Sequence, residues 1–227
     1  MTPDRWTLAL EAGEFSLPDG PCLVIRARGD GDFAALGRVH CVQGFAPDHD
    51  LLAARGLSVT PDLPEGESYA VALVQIVKAK AGTLGSIAEA LGALRPGGVL
   101  MVDGQKEEGI EAILKALKSV FEIGGTFSKA HGKLVWLTRP DVLPEAVIDW
   151  MPEPVEIEEG YVTVPGGFSA DGPDRGSDLL VALVPELTGR VADLGAGWGY
   201  IAGEVLAEQS GIETLDLIEA DHAMLQA

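Results

Sequence analysis

Short apolar runs alternate with helical patterns through residues 21–139. The runs have the length and composition of buried strands, and they lie at 21–25, 70–74, 99–102 and 134–137. Between them, residues 83–94 place Leu84, Ile87 and Leu91 at helical spacing, and residues 48–55 and 107–121 also predict helices. This alternation predicts an α/β fold with a mostly parallel sheet and crossover helices.

A second α/β pattern follows a proline-rich segment. Residues 139–160 contain four prolines and seven acidic residues, a composition typical of a stiff connector. Strands are then predicted at 161–164, 191–194 and 214–219, and helices at 177–187 and 200–208. We therefore predict an α/β domain at 1–139, a linker at 140–160 and the start of a second domain at 161–227.

Negative charge is concentrated in the second part of the chain. The formal net charge is −19; residues 1–140 hold 14 basic and 17 acidic residues, whereas residues 141–227 hold 2 basic and 18 acidic ones. Such a surface repels phosphate backbones, so any contact with nucleic acid is expected from the first part. Its candidate residues, which alternatively only solubilise helix faces, are Lys78, Lys80, Lys106, Lys115, Lys118, Lys129, His131 and Lys133.

Composition and termini favour a cytoplasmic protein. Cys22 and Cys41 are too few for a disulfide framework or a zinc site, so we expect two structural thiols and no metal. No apolar run is long enough to span a membrane, and the first residues lack the pattern of a signal peptide.

A glycine-rich turn carries the strongest functional signal. The run Val191–Leu194 leads through Asp193 into Gly195, Gly197 and Gly199, which gives the pattern D-x-G-x-G-x-G. Dinucleotide sites need a further glycine at the sixth position of their fingerprint, where this chain has Tyr200. The spacing favours S-adenosylmethionine (SAM) over NAD, and a tight strand-to-helix turn without a ligand is the structural alternative.

Two carboxylates accompany this turn. Asp193 ends the predicted strand, where it can face the ammonium group of SAM or a bound water. Glu219 follows about twenty residues after Gly199, at the end of the next strand, and can accept hydrogen bonds from both ribose hydroxyls. Because SAM and NAD sites share that ribose geometry, the glycine spacing rather than Glu219 discriminates between them.

The loop upstream of the turn adds a second motif. Residues 168–180 read F-S-x-D-G-x-D-x-G-S-x-L-L, in which Asp174 or Ser177 could also simply cap the next helix. Together with the glycine turn, this sequence resembles the RsmC/RlmG-like small-domain ribosomal RNA guanine methyltransferases. Residues 98–110 and 128–134 show looser similarity to segments of the same family.

The resemblance implies a Rossmann-like methyltransferase fold, in which a degenerate, cofactor-free domain precedes a SAM-binding domain. That agrees with the first unit, which has no glycine-rich turn after its opening strand. By similarity the cofactor-binding and pocket-lining positions are Asp193, Gly195, Ala196, Gly197, Gly199, Glu219, Phe168, Asp174 and Ser177.

Two departures from the family bear on activity. The family's N-P-P-[FY] motif, which holds the guanine amine, has no counterpart in these 227 residues, so no catalytic residue is assigned. Trp198 is larger than the residue usual between the last two glycines. We expect the chain to be the amino-terminal part of a longer enzyme, binding SAM weakly and not turning over.

The favoured function is SAM-dependent methylation of a guanine amino group in ribosomal RNA, with ribosomal RNA or the small ribosomal subunit as partner. The alternatives are a nicotinamide-dependent oxidoreductase and a non-catalytic domain pair for RNA docking or assembly. A lone βαβ crossover leaves apolar strand edges uncovered, so a homodimer through that edge is a further expectation.

Overall fold

The computed structural model describes residues 4–157 and 160–227. Within these ranges the chain forms two compact units, one ending at Pro152 and one beginning at Glu153. Met1, Thr2 and Pro3 from the predicted first domain, and Glu158 and Glu159 from the predicted linker, lie outside the described residues.

The first unit is built on a seven-stranded sheet. Its strands are β1 (Cys22–Ile25), β2 (Val39–Val42), β3 (Ser58–Thr60), β4 (Tyr69–Gln75), β5 (Leu94–Gln105), β6 (Gly125–Lys129) and β7 (Gly132–Thr138). The order is β3-β2-β1-β4-β5-β7-β6, and β7 runs antiparallel to the other six strands. Every residue of β4 is buried, which explains why this strand reads as a continuous apolar run.

Helices cover both faces of this sheet. The helices are α1 (Arg5–Glu11), α2 (Ala46–Ala54), α3 (Lys80–Ala93) and α4 (Ile110–Lys118), with 3₁₀ turns at Ala34–Leu36, Lys106–Glu108 and Glu145–Trp150. Side chains of α3 and α4, such as Ile87, Leu91 and Ile113, pack in one apolar layer. Trp6 of α1 and Leu52 of α2 lie in the other layer. The prediction of an α/β fold is confirmed.

A buried ion pair fastens α1 to the sheet. Nε and Nη2 of Arg5 donate to the two carboxylate oxygens of Asp103 at 2.5 and 2.7 Å. Gly132 leaves room for this contact, since a Cβ there would overlap the guanidinium group. Burial raises the pKa of Asp103, an effect that Arg5 reduces only in part.

The second unit contains one parallel βαβ crossover. Strand β10 (Gly189–Leu194) pairs in parallel with β11 (Ile212–Ile218), and α6 (Tyr200–Glu208) connects them. A short antiparallel pair, β8 (Val155–Glu156) and β9 (Val162–Thr163), precedes α5 (Arg175–Leu183), and α7 (His222–Gln226) follows β11. Several large apolar side chains of this unit are exposed: Leu179, Leu180, Leu183, Leu194, Leu206, Leu217, Ile218 and Leu225.

Some element bounds differ from the predictions. The helix predicted at 177–187 begins at Arg175, behind the Asp174 cap, and ends at Leu183, before Pro185. The segment predicted as linker is partly folded, because Glu145–Trp150 forms a 3₁₀ helix and buries Val147 against the first unit's core. The domain limits at 139 and 161 stay a prediction.

The two cysteines are free and buried on neighbouring strands. Burial raises the pKa of Cys22 to about 12 and that of Cys41 to about 11, so both thiols stay protonated at neutral pH. In the described parts of the chain, no helix is long and apolar enough to cross a membrane.

Candidate functional site

The turn after β10 depends on left-handed backbone conformations. Gly195, Gly197 and Gly199 have φ values of 81°, 56° and 89°. A Cβ would meet nothing within 4 Å at Gly195 or Gly199, and only the Met224 methyl at 3.9 Å from Gly197. The glycines are therefore required by backbone conformation, which other residues adopt at a cost, and not by crowding.

Glu219 organises the amides of this turn. Its Oε2 accepts from the Gly197 amide at 2.8 Å, and its Oε1 accepts from the Ala220 and Asp221 amides at 2.6 and 2.9 Å. Burial raises the pKa of Glu219, but these three hydrogen bonds outweigh it, so the pKa lies below its usual value. An ionised carboxylate has about four acceptor positions, which leaves one free on Oε2.

Asp193 presents an unsatisfied carboxylate oxygen. Its Oδ2 is buried and has no hydrogen-bond partner among the residues described. Burial, and then the charge of Glu219, raises the pKa of Asp193. Because an unpaired buried acceptor is costly, this atom indicates a place where a donor, preferably a cationic one, would be stabilised.

The upstream loop lies against the turn. One small cavity, about 60 Å³ in volume, is lined from the loop by Phe168, Asp174 and Ser177, and from the turn by Gly195, Ala196 and Gly197. Six of the nine predicted site residues thus line a common space. Asp193, Gly199 and Glu219 do not line it.

Asp174 and Ser177 have a structural role in this loop. Asp174 caps α5, with Oδ1 accepting from the Gly176 amide and Oδ2 accepting from the Ser177 hydroxyl, both at 2.7 Å. The hydrogen bond from Ser177, with that from Gly176, lowers the pKa of Asp174. The capping alternative therefore agrees with the geometry, and a ligand-binding role for the two residues stays a prediction.

Trp198 belongs to an aromatic cluster beside the turn. Its ring lies 5.3 Å from the ring of Tyr161 and 5.6 Å from that of Tyr200, measured between centroids. The Tyr161 hydroxyl donates to Glu204, and the Tyr200 hydroxyl donates to Asp178, both at 2.9 Å. The larger side chain at 198 is thus accommodated by packing.

A second, acidic cavity in the second unit contains residues that the sequence does not single out as a site. Its volume is about 540 Å³, and its lining includes Glu156, Tyr161, Asp171, Asp178 and Tyr200. Asp171 and Asp178 belong to the 168–180 motif, but Glu156, Tyr161 and Tyr200 come from separate segments, so only the fold brings the five together. The pattern of acidic residues alone could not distinguish them from solvated surface positions.

Comparisons with known proteins agree with the motifs. Residues 159–227 match the family model of the methyltransferase small domain. The ribosomal RNA small subunit methyltransferases C of Shewanella oneidensis and Shewanella halifaxensis are 32% and 31% identical over 163 residues, or 68% and 69% of this chain. The matches confirm the family resemblance that the motifs indicate. The chain spans about half the length of these curated relatives, 48% in each case.

A solved structure also matches in fold. The T. thermophilus 16S rRNA N2 G1207 methyltransferase (RsmC), in complex with AdoMet and guanosine, aligns over 94% of this chain and 62% of its own. The TM-score is 0.71 and the sequence identity is 23%. The predicted Rossmann-like methyltransferase fold is confirmed.

Proposed function

We propose that this RsmC-like chain forms part of a SAM-dependent methyltransferase acting on a guanine amino group of ribosomal RNA. The observation that carries the proposal is the unpaired Oδ2 of Asp193 beside three left-handed glycines and an ionised Glu219. A ligand with a cationic group and hydroxyl donors satisfies the acceptors that this arrangement leaves free.

The residues fit the cofactor in three respects. Asp193 would bind its ammonium group, since the neighbouring Glu219 adds negative charge at the same place. Glu219 would accept from a ribose hydroxyl at its free Oε2 position. Gly195, Ala196, Gly197 and Gly199 would allow the backbone to approach the cofactor closely.

Bound SAM supplies an electrophilic methyl group, and the residues of this chain would hold and orient it. The loop bearing Phe168, Asp174 and Ser177 would cover the site. Ligand pockets usually exceed about 300 Å³, and the cavity beneath this loop is about 60 Å³. We therefore expect the loop to move away from the turn when the cofactor binds.

The substrate assignment is supported by the relatives. Two curated relatives carry the name ribosomal RNA small subunit methyltransferase C, and the T. thermophilus structure contains guanosine. These 227 residues contain no Asn-Pro-Pro-aromatic run, so the group that holds the guanine amine is not assigned. Ribosomal RNA or the small subunit as partner, a cytoplasmic location and the homodimer stay predictions.

Calorimetric titration with SAM and, separately, with NADH tests the cofactor assignment. We expect saturable SAM binding, no NADH binding, and loss of SAM binding in Gly197→Asp. The new side chain would both strain a left-handed position and place a third carboxylate beside Asp193 and Glu219. Tight NADH binding without SAM binding would overturn the proposal in favour of an oxidoreductase.

Gly189→Asp is the matched control. Gly189 has φ of 73°, and a Cβ there meets nothing within 4 Å, so the substitution introduces the same charge and a similar backbone strain. Gly189 begins β10, whereas the turn follows its last residue. Equal loss of SAM binding in both variants would mean that general destabilisation, and not the turn, explains the result.

A further inference from the structure

A third cavity lies in the first unit, at the carboxyl ends of four parallel strands. Its volume is about 610 Å³, and its lining comes from the end of β4 and from the segments that follow β1, β2, β4 and β5. The chain extends from β1 through β2 to β3 on one side of the sheet and from β4 to β5 on the other. In open α/β sheets, ligands bind at such a reversal of strand order.

The loop after β1 is held in a fixed conformation. Arg55 donates to the carbonyls of Gly29 and Gly31 at 2.6 and 2.7 Å. The amide of Gly29 donates to Asp48 at 3.0 Å, and the buried Gln43 donates to the Ala27 carbonyl at 2.7 Å. The rim of the cavity is therefore organised before any ligand arrives, which lowers the entropy lost on binding.

Arg26 occupies a strained position in this rim. Its φ of 56° lies in the left-handed region, which a long side chain rarely adopts. Its Nε donates to the Ser86 hydroxyl at 3.1 Å, while its terminal nitrogens contact no carboxylate within 4 Å among the residues described. Strain of this kind at a cavity points to a functional role for the side chain.

Some charged side chains around the cavity have a partner of opposite charge or a hydrogen-bond donor, and others have none. Arg28 pairs with Glu108 at 2.6 Å, and Asp48 is engaged by the loop amide. Lys78 has no ion pair within the described ranges. Arg26 also lowers the pKa of nearby Glu89, although burial raises that pKa overall. Arg26 and Lys78 are thus available to an anion.

Two further groups suit an aromatic, hydrogen-bonding ligand. Phe45 is 45% exposed at the cavity. Gln75, which is only 4% exposed, accepts from the Arg28 amide through Oε1 at 2.8 Å. Its Nε2 donates to no residue in 4–157 or 160–227, and the side chain lines the cavity, so this donor is open to a ligand.

We propose that this cavity binds a nucleotide, with its phosphate at Arg26 and Lys78 and its base against Phe45. A flat base needs an exposed aromatic face, a phosphate needs unpaired cations, and Gln75 can donate to the base or the ribose. A SAM or dinucleotide site would require the glycine turn that this loop lacks. The nucleotide is either free or a unit of an RNA strand; the second source rests on the proposed function.

Fluorescence anisotropy with a labelled single-stranded oligoribonucleotide of about eight residues tests the site, alongside calorimetry with each free nucleoside monophosphate. We expect Phe45→Leu to weaken binding about tenfold by removing the stacking surface. Arg26→Asn should weaken it several-fold and make the dependence of log K on log salt shallower by about 0.7 for one lost phosphate contact. Asparagine tolerates the left-handed backbone, so the fold is preserved.

Arg38→Asn is the matched control for charge. Arg38 is exposed and immediately precedes β2, at the amino ends of the parallel strands and not in the lining of the cavity. Its removal should leave affinity within about twofold of the parent. An equal loss in Arg38→Asn and Arg26→Asn, or unchanged binding in Phe45→Leu, would overturn the proposal.

These experiments distinguish a free nucleotide from an RNA strand as the ligand. They also distinguish failure of this inference from failure of the proposed methyltransferase function. Phe45-dependent binding of a free monophosphate identifies a small-molecule site, whereas Phe45-dependent binding of the oligonucleotide alone identifies an RNA strand. Absence of both kinds of binding overturns the inference. SAM titration of the same variants should match the parent; if the parent itself fails to bind SAM, the methyltransferase assignment fails while the nucleotide result stands.

Discussion

The ion pair between Arg5 and Asp103 joins residues 98 positions apart, and both side chains are buried. Replacing Arg5 by Met would leave the carboxylate of Asp103 without its partner in an apolar layer. Loss of one member of a buried pair costs about 3–5 kcal/mol. We expect a decrease of that size in the free energy of unfolding of the first unit, measured by urea denaturation at pH 7.5.

The pH dependence of this loss identifies its cause. Without Arg5, burial raises the pKa of Asp103 further, and the protonated carboxyl becomes the form that the folded state favours. A raised folded-state pKa contributes stability that is present at low pH and is lost as the pH rises. The deficit of Arg5→Met should therefore shrink as the pH falls toward about 4, the ordinary value for Asp. A deficit that stays constant with pH would contradict this assignment.

Residue types and spacing were enough to predict the glycine turn, because left-handed conformations at 195, 197 and 199 require the residue that the sequence shows there. The same reasoning could not find Gln75 or the Arg5–Asp103 pair. Neither has a local sequence signature, because the hydrogen-bonded partners lie far apart in the sequence and only the folded sheet brings them together.

At the scale of elements, prediction succeeded where burial is uniform and failed where it is partial. Strand β4 is buried throughout and reads as an apolar run. Strand β2, with the sequence Val-His-Cys-Val, is only four residues long and is fully buried only in its second half, and β3 is a three-residue edge strand. Such segments have too few apolar positions for periodicity to distinguish them from loops.

Two glycines in consecutive elements of the first unit are expected to change stability in opposite directions when replaced by alanine. In Gly104→Ala, the new methyl group on β5 would overlap Cγ1 and Cδ1 of Ile76, which is itself buried. Overpacking of this kind costs about 1–3 kcal/mol. In Gly92→Ala, the methyl group meets nothing within 4 Å on helix α3, and the gain in helix propensity is about 0.5–1 kcal/mol.

Chemical denaturation of the two alanine variants checks the packing of this sheet. The expected order of stability is Gly92→Ala, then the parent, then Gly104→Ala. Destabilisation by both substitutions would contradict the open space at position 92, and an unaffected Gly104→Ala would mean that Ile76 can move aside without cost.

At the scale of the whole molecule, the distribution of charge separates the two units. Residues 141–227 carry 18 acidic and 2 basic residues, while the exposed cations that could meet RNA lie before residue 140. Repulsion among like charges destabilises a compact state. The proposed nucleotide cavity therefore lies in the unit that repels an anionic ligand less. The proposed SAM site lies in the more acidic unit, whose carboxylates attract a cation.

This asymmetry predicts an unequal response to salt. The Debye length falls from about 30 Å at 0.01 M to about 3 Å at 1 M ionic strength, so sodium chloride should screen the acidic second unit and raise its melting temperature. Trp198 reports on that unit, whereas Trp6, Trp136 and Trp150 lie in the first. Unfolding followed by tryptophan fluorescence should show one transition that disappears in Trp198→Phe and therefore belongs to the second unit. The melting temperature of that transition should rise by several degrees with salt, and the melting temperature of the remaining transition should rise less. Equal shifts would mean that the salt response does not follow the charge of each unit.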